Sequence, residues 1–130
     1  MTEPSKIRIL VADDDQDTLN LVTYILNHFG YEVVGVSDGS AAIAAIEADP
    51  PKLAILDVIM PGMSGIEVLK RVRSNEANRN LHVILFSVIT NESTVAAGLA
   101  AGASEFIKKP VNLGELMQIV NSFLSRSENE

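Results

Sequence analysis

An α/β fold, a (βα)5 three-layer sandwich around a five-stranded parallel sheet, is predicted by two observations. Five aliphatic segments alternate with five segments of helical periodicity along the 130 residues, joined mostly by short connections. The aliphatic segments are apolar throughout rather than alternating, the pattern of strands covered on both faces.

Lys6 to Val11 (KIRILV) is rich in β-branched and aliphatic residues and stops at Asp13, Asp14 and Asp15, which reads as a buried strand with an acidic end. From Asp17, Leu19, Val22, Ile25, Leu26 and Phe29 recur at helical spacing, and Gly30 follows as a left-handed terminator. Glu32 to Val36 is strand-like, and Ala41 to Ala48 is an Ala-rich helix ended by Pro50 and Pro51. A third strand, Leu53 to Leu56, runs into Asp57. After the Pro61-Gly62 turn, Ile66, Val68, Leu69 and Val72 predict a helix from near Ser64, with Lys70, Arg71 and Arg73 in its later turns where the helix dipole favours cations. His82 to Phe86 is a fourth strand ending at Ser87. A helix over roughly Glu92 to Ala101 is expected to be soft, because Gly98 inside it costs about 1 kcal/mol relative to Ala. Phe106 and Ile107 form a short fifth strand before Lys108, Lys109 and Pro110. Asn112 caps a last helix that buries Leu116, Ile119, Val120, Phe123 and Leu124.

The length suits one domain, residues 1–130, with a core over about 6–124 and polar tips, Met1 to Ser5 and Ser125 to Glu130, that are expected to fray. No repeat, low-complexity block or linker divides it. Seventeen acidic residues against ten basic ones give a formal charge of −7, which disfavours nucleic acid and anionic membrane surfaces as partners. The absence of cysteine removes disulfide and thiol chemistry. No segment approaches the roughly 18 apolar residues of a membrane span, and MTEPSKIRIL is unlike a signal peptide, so a cytoplasmic location is expected.

In an open parallel α/β sheet the strand C-terminal ends share one edge, where ligands bind at the point at which strand order reverses. Asp13 and Asp14 follow strand one, Asp57 follows strand three, Ser87 closes strand four and Lys109 follows strand five, so all are predicted to share that edge. With the flavodoxin-like order 2-1-3-4-5, strands one and three are neighbours about 4.8 Å apart, and strand five is roughly 10 Å from strand three, a gap that a lysine stem largely covers. In isolation the Asp triplet would read as a helix cap, and Ser87 and Lys109 as ordinary strand-end groups. Together they form a set: converging carboxylates repel unless a cation joins them, Mg²⁺ prefers such oxygen ligands, and an ionised Asp can attack phosphorus to give an acyl phosphate. Lys109 would neutralise one phosphoryl oxygen and Ser87 would donate to another.

The chain resembles the receiver domains of two-component response regulators, and in particular single-domain, chemotaxis-type members. The resemblance runs from Ile7 to about Leu124 through ILVADDD (Ile9 to Asp15), LDVIMPGMSG (Leu56 to Gly65), the Ser87 hydroxyl and AGASEFIKKP (Ala101 to Pro110). It implies Asp57 as phosphoacceptor, a sensor histidine kinase or histidine phosphotransfer protein as donor, and Mg²⁺ held by Asp13, Asp14, Asp57 and the backbone carbonyl of Ile59. It further implies phosphoryl contacts from Ser87 and Lys109, a switch aromatic at Phe106, a cis bond at Pro110, and a monomer or weak homodimer that binds a downstream protein target. Such a domain is no enzyme beyond catalysing its own phosphorylation and dephosphorylation. Val88 stands where the family usually has Ala, and Ile59 and Ile89 offer no polar group to orient water, so slow hydrolysis of the acyl phosphate is expected.

Other readings of the same fold make different demands. A flavodoxin-like cofactor binder needs a Ser/Thr/Gly-rich phosphate loop after strand one, where this sequence has three carboxylates. A receiver-like interaction module that is never phosphorylated would not need the complete set of acceptor, acidic pair, hydroxyl and lysine. A receiver excised from a larger regulator would look the same; a chain whole as it stands must act by binding another protein or by passing the phosphoryl group on.

Overall fold

The computed structural model describes residues 7–128, with side chains as far as Leu124. Lys6, Met1 to Ser5 and the last two residues lie outside the described residues. The elements follow the order β1 (Arg8–Ala12), α1 (Gln16–His28), β2 (Glu32–Val36), α2 (Gly39–Ala48), β3 (Leu53–Asp57), α3 (Gly65–Arg73), a 3-10 turn (Glu76–Asn78), β4 (His82–Ser87), α4 (Glu92–Ala100), β5 (Glu105–Lys108) and α5 (Leu113–Glu128). The strands form one parallel sheet of order β2-β1-β3-β4-β5, the predicted flavodoxin-like arrangement.

The apolar strands feed two cores, one on each face. Leu10, Ala12, Ala54, Leu56, Val83 and Leu85 point toward α2 and α3, joining Ile46, Leu69 and Val72. Their chain neighbours Ile9, Val11, Leu53, Ile55, Ile84 and Phe86 point the other way, to Leu26 on α1 and Leu116 and Val120 on α5. Strand side chains alternate faces, so a strand between two cores must be apolar at every position.

Side chains at the C-terminal edge of the sheet start the helices. Asp15 accepts from Thr18 N, Asp38 from Ala41 N (2.7 Å), Asn91 from Thr94 N (2.8 Å) and Asn112 from Glu115 N (3.0 Å), while Ser64 and Glu67 form a reciprocal capping box. The Asp38 cap starts α2 at Gly39, two residues before the position expected from periodicity. Gly30 (φ +93°) and Gly62 (φ +80°) occupy the left-handed region that their turns require.

Three features add to the expected pattern. Helix α5 runs from Leu113 through Glu128, beyond Leu124, the last of its predicted buried residues. Strand β5 extends one residue each way beyond Phe106 and Ile107, because pairing with β4 recruits Glu105 and Lys108. Gly98 has a packing role: it is the buried residue of α4, and a Cβ there would lie 2.7 Å from Leu85 Cδ1 and 3.3 Å from Phe106 Cδ2. The missing side chain lets α4 lie directly on β4 and β5. Among the described residues no helix is long and apolar enough to cross a membrane.

Candidate functional site

The register delivers the predicted residues to one edge. Ala12 pairs with Leu56, so Asp13 and Asp57 emerge side by side; Asp57 pairs with Phe86, and Ser87 with Lys108. Lys109 N donates to Ser87 O at 2.9 Å, and the Lys109–Pro110 bond is cis.

Lys109 spans the sheet edge. Its Nζ lies 3.0 Å from Asp57 Oδ2 and 2.8 Å from Asp13 Oδ2, over the Phe86 ring at 5.2 Å from the centroid. Asp13 and Asp57 are both buried, at 1% and 5% exposure. Asp57 Oδ1 accepts from Ile59 N (3.2 Å) and Asp13 Oδ1 from Asp15 N (2.9 Å). Asp13 Oδ2, by contrast, has no hydrogen bond, because its approach to Lys109 is ionic but outside hydrogen-bond geometry. Asp14 is exposed, yet one carboxylate oxygen from each of Asp13, Asp14 and Asp57 falls within 4.8 Å of the others.

One ammonium thus faces three converging carboxylates. Burial pushes Asp57 up to about 6; Lys109 opposes that rise and the Asp13 charge adds to it. For Lys109, burial favours the neutral form, but pairing with Asp13 and Asp57 outweighs it and raises its pKa. An all-oxygen donor set carrying excess negative charge, with a buried carboxylate oxygen lacking a hydrogen bond, fits a hard divalent cation.

The other predicted residues are close by but engaged differently. Ser87 is fully buried, and its Oγ accepts from Ile89 N (3.0 Å) with no bond to Asp57. Phe106 is half-buried, packed on the core below α4 beside Gly98. Ile59, Val88 and Ile89 rim the site at 48%, 66% and 37% exposure, so Val88 projects largely into solvent.

Sequence reasoning missed Gly65. Its amide donates to Val58 O at 2.9 Å, and a Cβ there would lie 2.2 Å from the carbonyl oxygen of Asp57. The available signal was a glycine directly after the Ser64 cap, at a first helical position that does not itself call for one.

A doubly wound sheet gathers a buried Asp, an acidic pair and a lysine at its switch point, a carboxylate-centred site that could hold a metal ion. The family model described as the response regulator receiver domain matches residues 9–121. The DNA-binding response regulator MtrA of Mycolicibacterium smegmatis is 34% identical over 123 residues, covering 95% of this chain and 53% of the relative. The alkaline phosphatase synthesis transcriptional regulatory protein PhoP of Bacillus subtilis is 34% identical over 121 residues, covering 93% and 50%. Among solved structures, a CheY-like receiver domain protein from Methanospirillum hungatei superposes with TM-score 0.88 at 30% identity over 96% of this chain and 98% of that one. The CheX-CheY-BeF3-Mg+2 complex from Borrelia burgdorferi gives 0.82 at 29% identity over 91% and 89%. The chain belongs to the response regulator receiver domain family. It spans about half the length of the curated relatives it matches.

Proposed function

We propose that this receiver domain accepts a phosphoryl group on Asp57 and thereby switches a protein-binding face. The observation that carries the reading is a buried carboxylate held 3.0 Å from Lys109 Nζ and within 4.8 Å of the Asp13 and Asp14 oxygens. With a pKa of about 6, Asp57 is mainly ionised at neutral pH and available as a nucleophile. An Asp57 oxygen would attack the phosphorus of a phosphohistidine on a sensor histidine kinase or phosphotransfer protein. The P–O bond of the acyl phosphate forms as the P–N bond breaks, and the imidazole nitrogen keeps the electron pair. Mg²⁺, held by Asp13, Asp14, Asp57 and the Ile59 carbonyl, would supply the charge neutralisation that brings dianionic phosphate to this edge.

Lys109, freed from its carboxylate pairs, turns to a phosphoryl oxygen. Ser87 exchanges its bond from Ile89 N for donation to another, and Phe106 turns into the space vacated. The domain catalyses only its own phosphorylation and dephosphorylation, in the cytoplasm where kinases draw on ATP. The apolar rim of Ile59 and Ile89 leaves attacking water unoriented, so a phosphorylated half-life longer than a few seconds in Mg²⁺ is expected; decay within seconds contradicts that role. Because the curated relatives are twice as long and their names describe DNA-binding or transcriptional regulators, origin as the receiver part of a longer regulator is the second reading.

The Borrelia complex, with BeF3 and Mg+2 in its name, supports a direct test. Fluoroberyllate with Mg²⁺ should stabilise the folded protein by about 2.7 kcal/mol at a hundredfold excess over Kd, and so raise its melting temperature. Mg²⁺ alone should give less, and Asp57→Asn no fluoroberyllate effect. An unchanged melting temperature with both present contradicts the proposal.

A further inference from the structure

The basic residues of this acidic chain are not spread evenly. Lys70, Arg71, Arg73 and Arg79 are four of its ten and fall within positions 70–79, where Glu76 is the single acid. The last turn of α3 attracts cations through the helix dipole, but that accounts for stability and not for what neutralises them. Glu67, the acid on α3 itself, is committed to the capping box through Ser64 N at 3.2 Å. Among the described residues none of these four cations has an ion-pair partner, whereas Arg8 and Lys109 each have two.

Arg73 shows the deficit most clearly. It is half-buried, and its guanidinium donates to Gly102 O (3.2 and 2.9 Å) and Asn78 O (2.9 Å), all neutral acceptors. Burial pushes its pKa below the ordinary value. It borders a groove of about 480 Å³ between α3 and α4, lined by Lys70, Arg73, Ser74, Ala97, Ala100 and Ala101. One wall is cationic and the other is a row of alanines on α4, open and shallow enough to seat apolar side chains.

We propose that this α3–α4 groove docks an acidic, partly apolar segment of a partner protein. Carboxylates would meet Lys70 and Arg73, and aliphatic side chains would lie on Ala97 and Ala100. A protein segment is favoured over nucleic acid because the cations lining the groove, Lys70 and Arg73, span a single helical turn and the chain as a whole carries −7. The groove lies toward the end of α3 remote from Asp57, so the inference stands independently of phosphorylation.

The test uses the full chain, ¹⁵N-labelled, titrated with a synthetic helical peptide of Glu, Leu and Ala. Amide shifts are expected to cluster at Lys70, Arg73, Ser74, Ala97 and Ala100. Lys70→Glu should weaken binding about tenfold, since it reverses rather than removes a charge in a partly exposed pair. Ala97→Glu, with unchanged circular dichroism, should act in the same direction from the opposite wall, and Asp57→Asn should leave binding intact. Shifts centred elsewhere, equal binding by the Gln version of the peptide, equal binding by a single-stranded oligonucleotide, or no binding at all would overturn the proposal.

Discussion

Gly65→Ala is expected to destabilise the protein by more than about 3 kcal/mol and to displace Asp57, because both effects have one cause. The new Cβ would lie 2.2 Å from the carbonyl oxygen and 2.9 Å from the carbonyl carbon of Asp57. Both are backbone atoms of a fully buried strand end, so no rotamer change relieves the contact. The start of α3 must move, and the Gly65 N to Val58 O bond and the Ser64–Glu67 cap move with it. Gly62→Ala is the control: nothing lies within 4 Å, and only φ +80° opposes the change, for about 1 kcal/mol. Urea denaturation of the two variants measures the difference. Equal losses would mean that the approach of α3 to Asp57 is not tight.

Asp57→Asn is expected to stabilise the metal-free protein at neutral pH, unusually for a substitution at a buried functional residue. The folded-state pKa of about 6 lies above the ordinary 3.8, so folded protein holds the proton more firmly than unfolded chain. The stability this contributes is fully present below pH 3.8 and lost as pH rises through about 6. Asn carries no such loss and leaves Lys109 paired with Asp13 at 2.8 Å. The variant should therefore gain about 1–3 kcal/mol over wild type above pH 7. That gap should close toward pH 4 and shrink when Mg²⁺ is added. Melting curves across pH measure it, and a gap independent of pH would exclude carboxylate desolvation as its cause.

The legible parts of this protein were those encoded by single residues or local periodicity. The strands showed because two-faced burial leaves an uninterrupted apolar run, and the site showed because Asp13, Asp57, Ser87 and Lys109 each mark where a strand stops. What stayed hidden depends on a third dimension. Asp13 and Asp14 read alike as letters, yet one is buried against Lys109 and the other is exposed, since consecutive residues leaving a strand point to different sides. Gly98 looked like a weakness in α4 until Leu85 and Phe106 were seen beneath it. The 3-10 turn and its buried Asn78 had no apolar period to announce them, and the Arg73 bonds to Gly102 O join segments whose meeting no spacing encodes. The Ser87 hydroxyl was correctly placed on the edge, but its bond from Ile89 N depends on a loop conformation that the sequence leaves open.

Phosphorylation of the carboxylate at the end of β3 is tested most directly by intact mass spectrometry after incubation with acetyl phosphate and Mg²⁺. Wild-type protein should gain the mass of one phosphoryl group, lost again on treatment with hydroxylamine as an acyl phosphate requires, while Asp57→Asn gains none. An adduct of the same yield on Asp57→Asn, or none on wild type with either acetyl phosphate or a phosphorylated histidine kinase as donor, would contradict it.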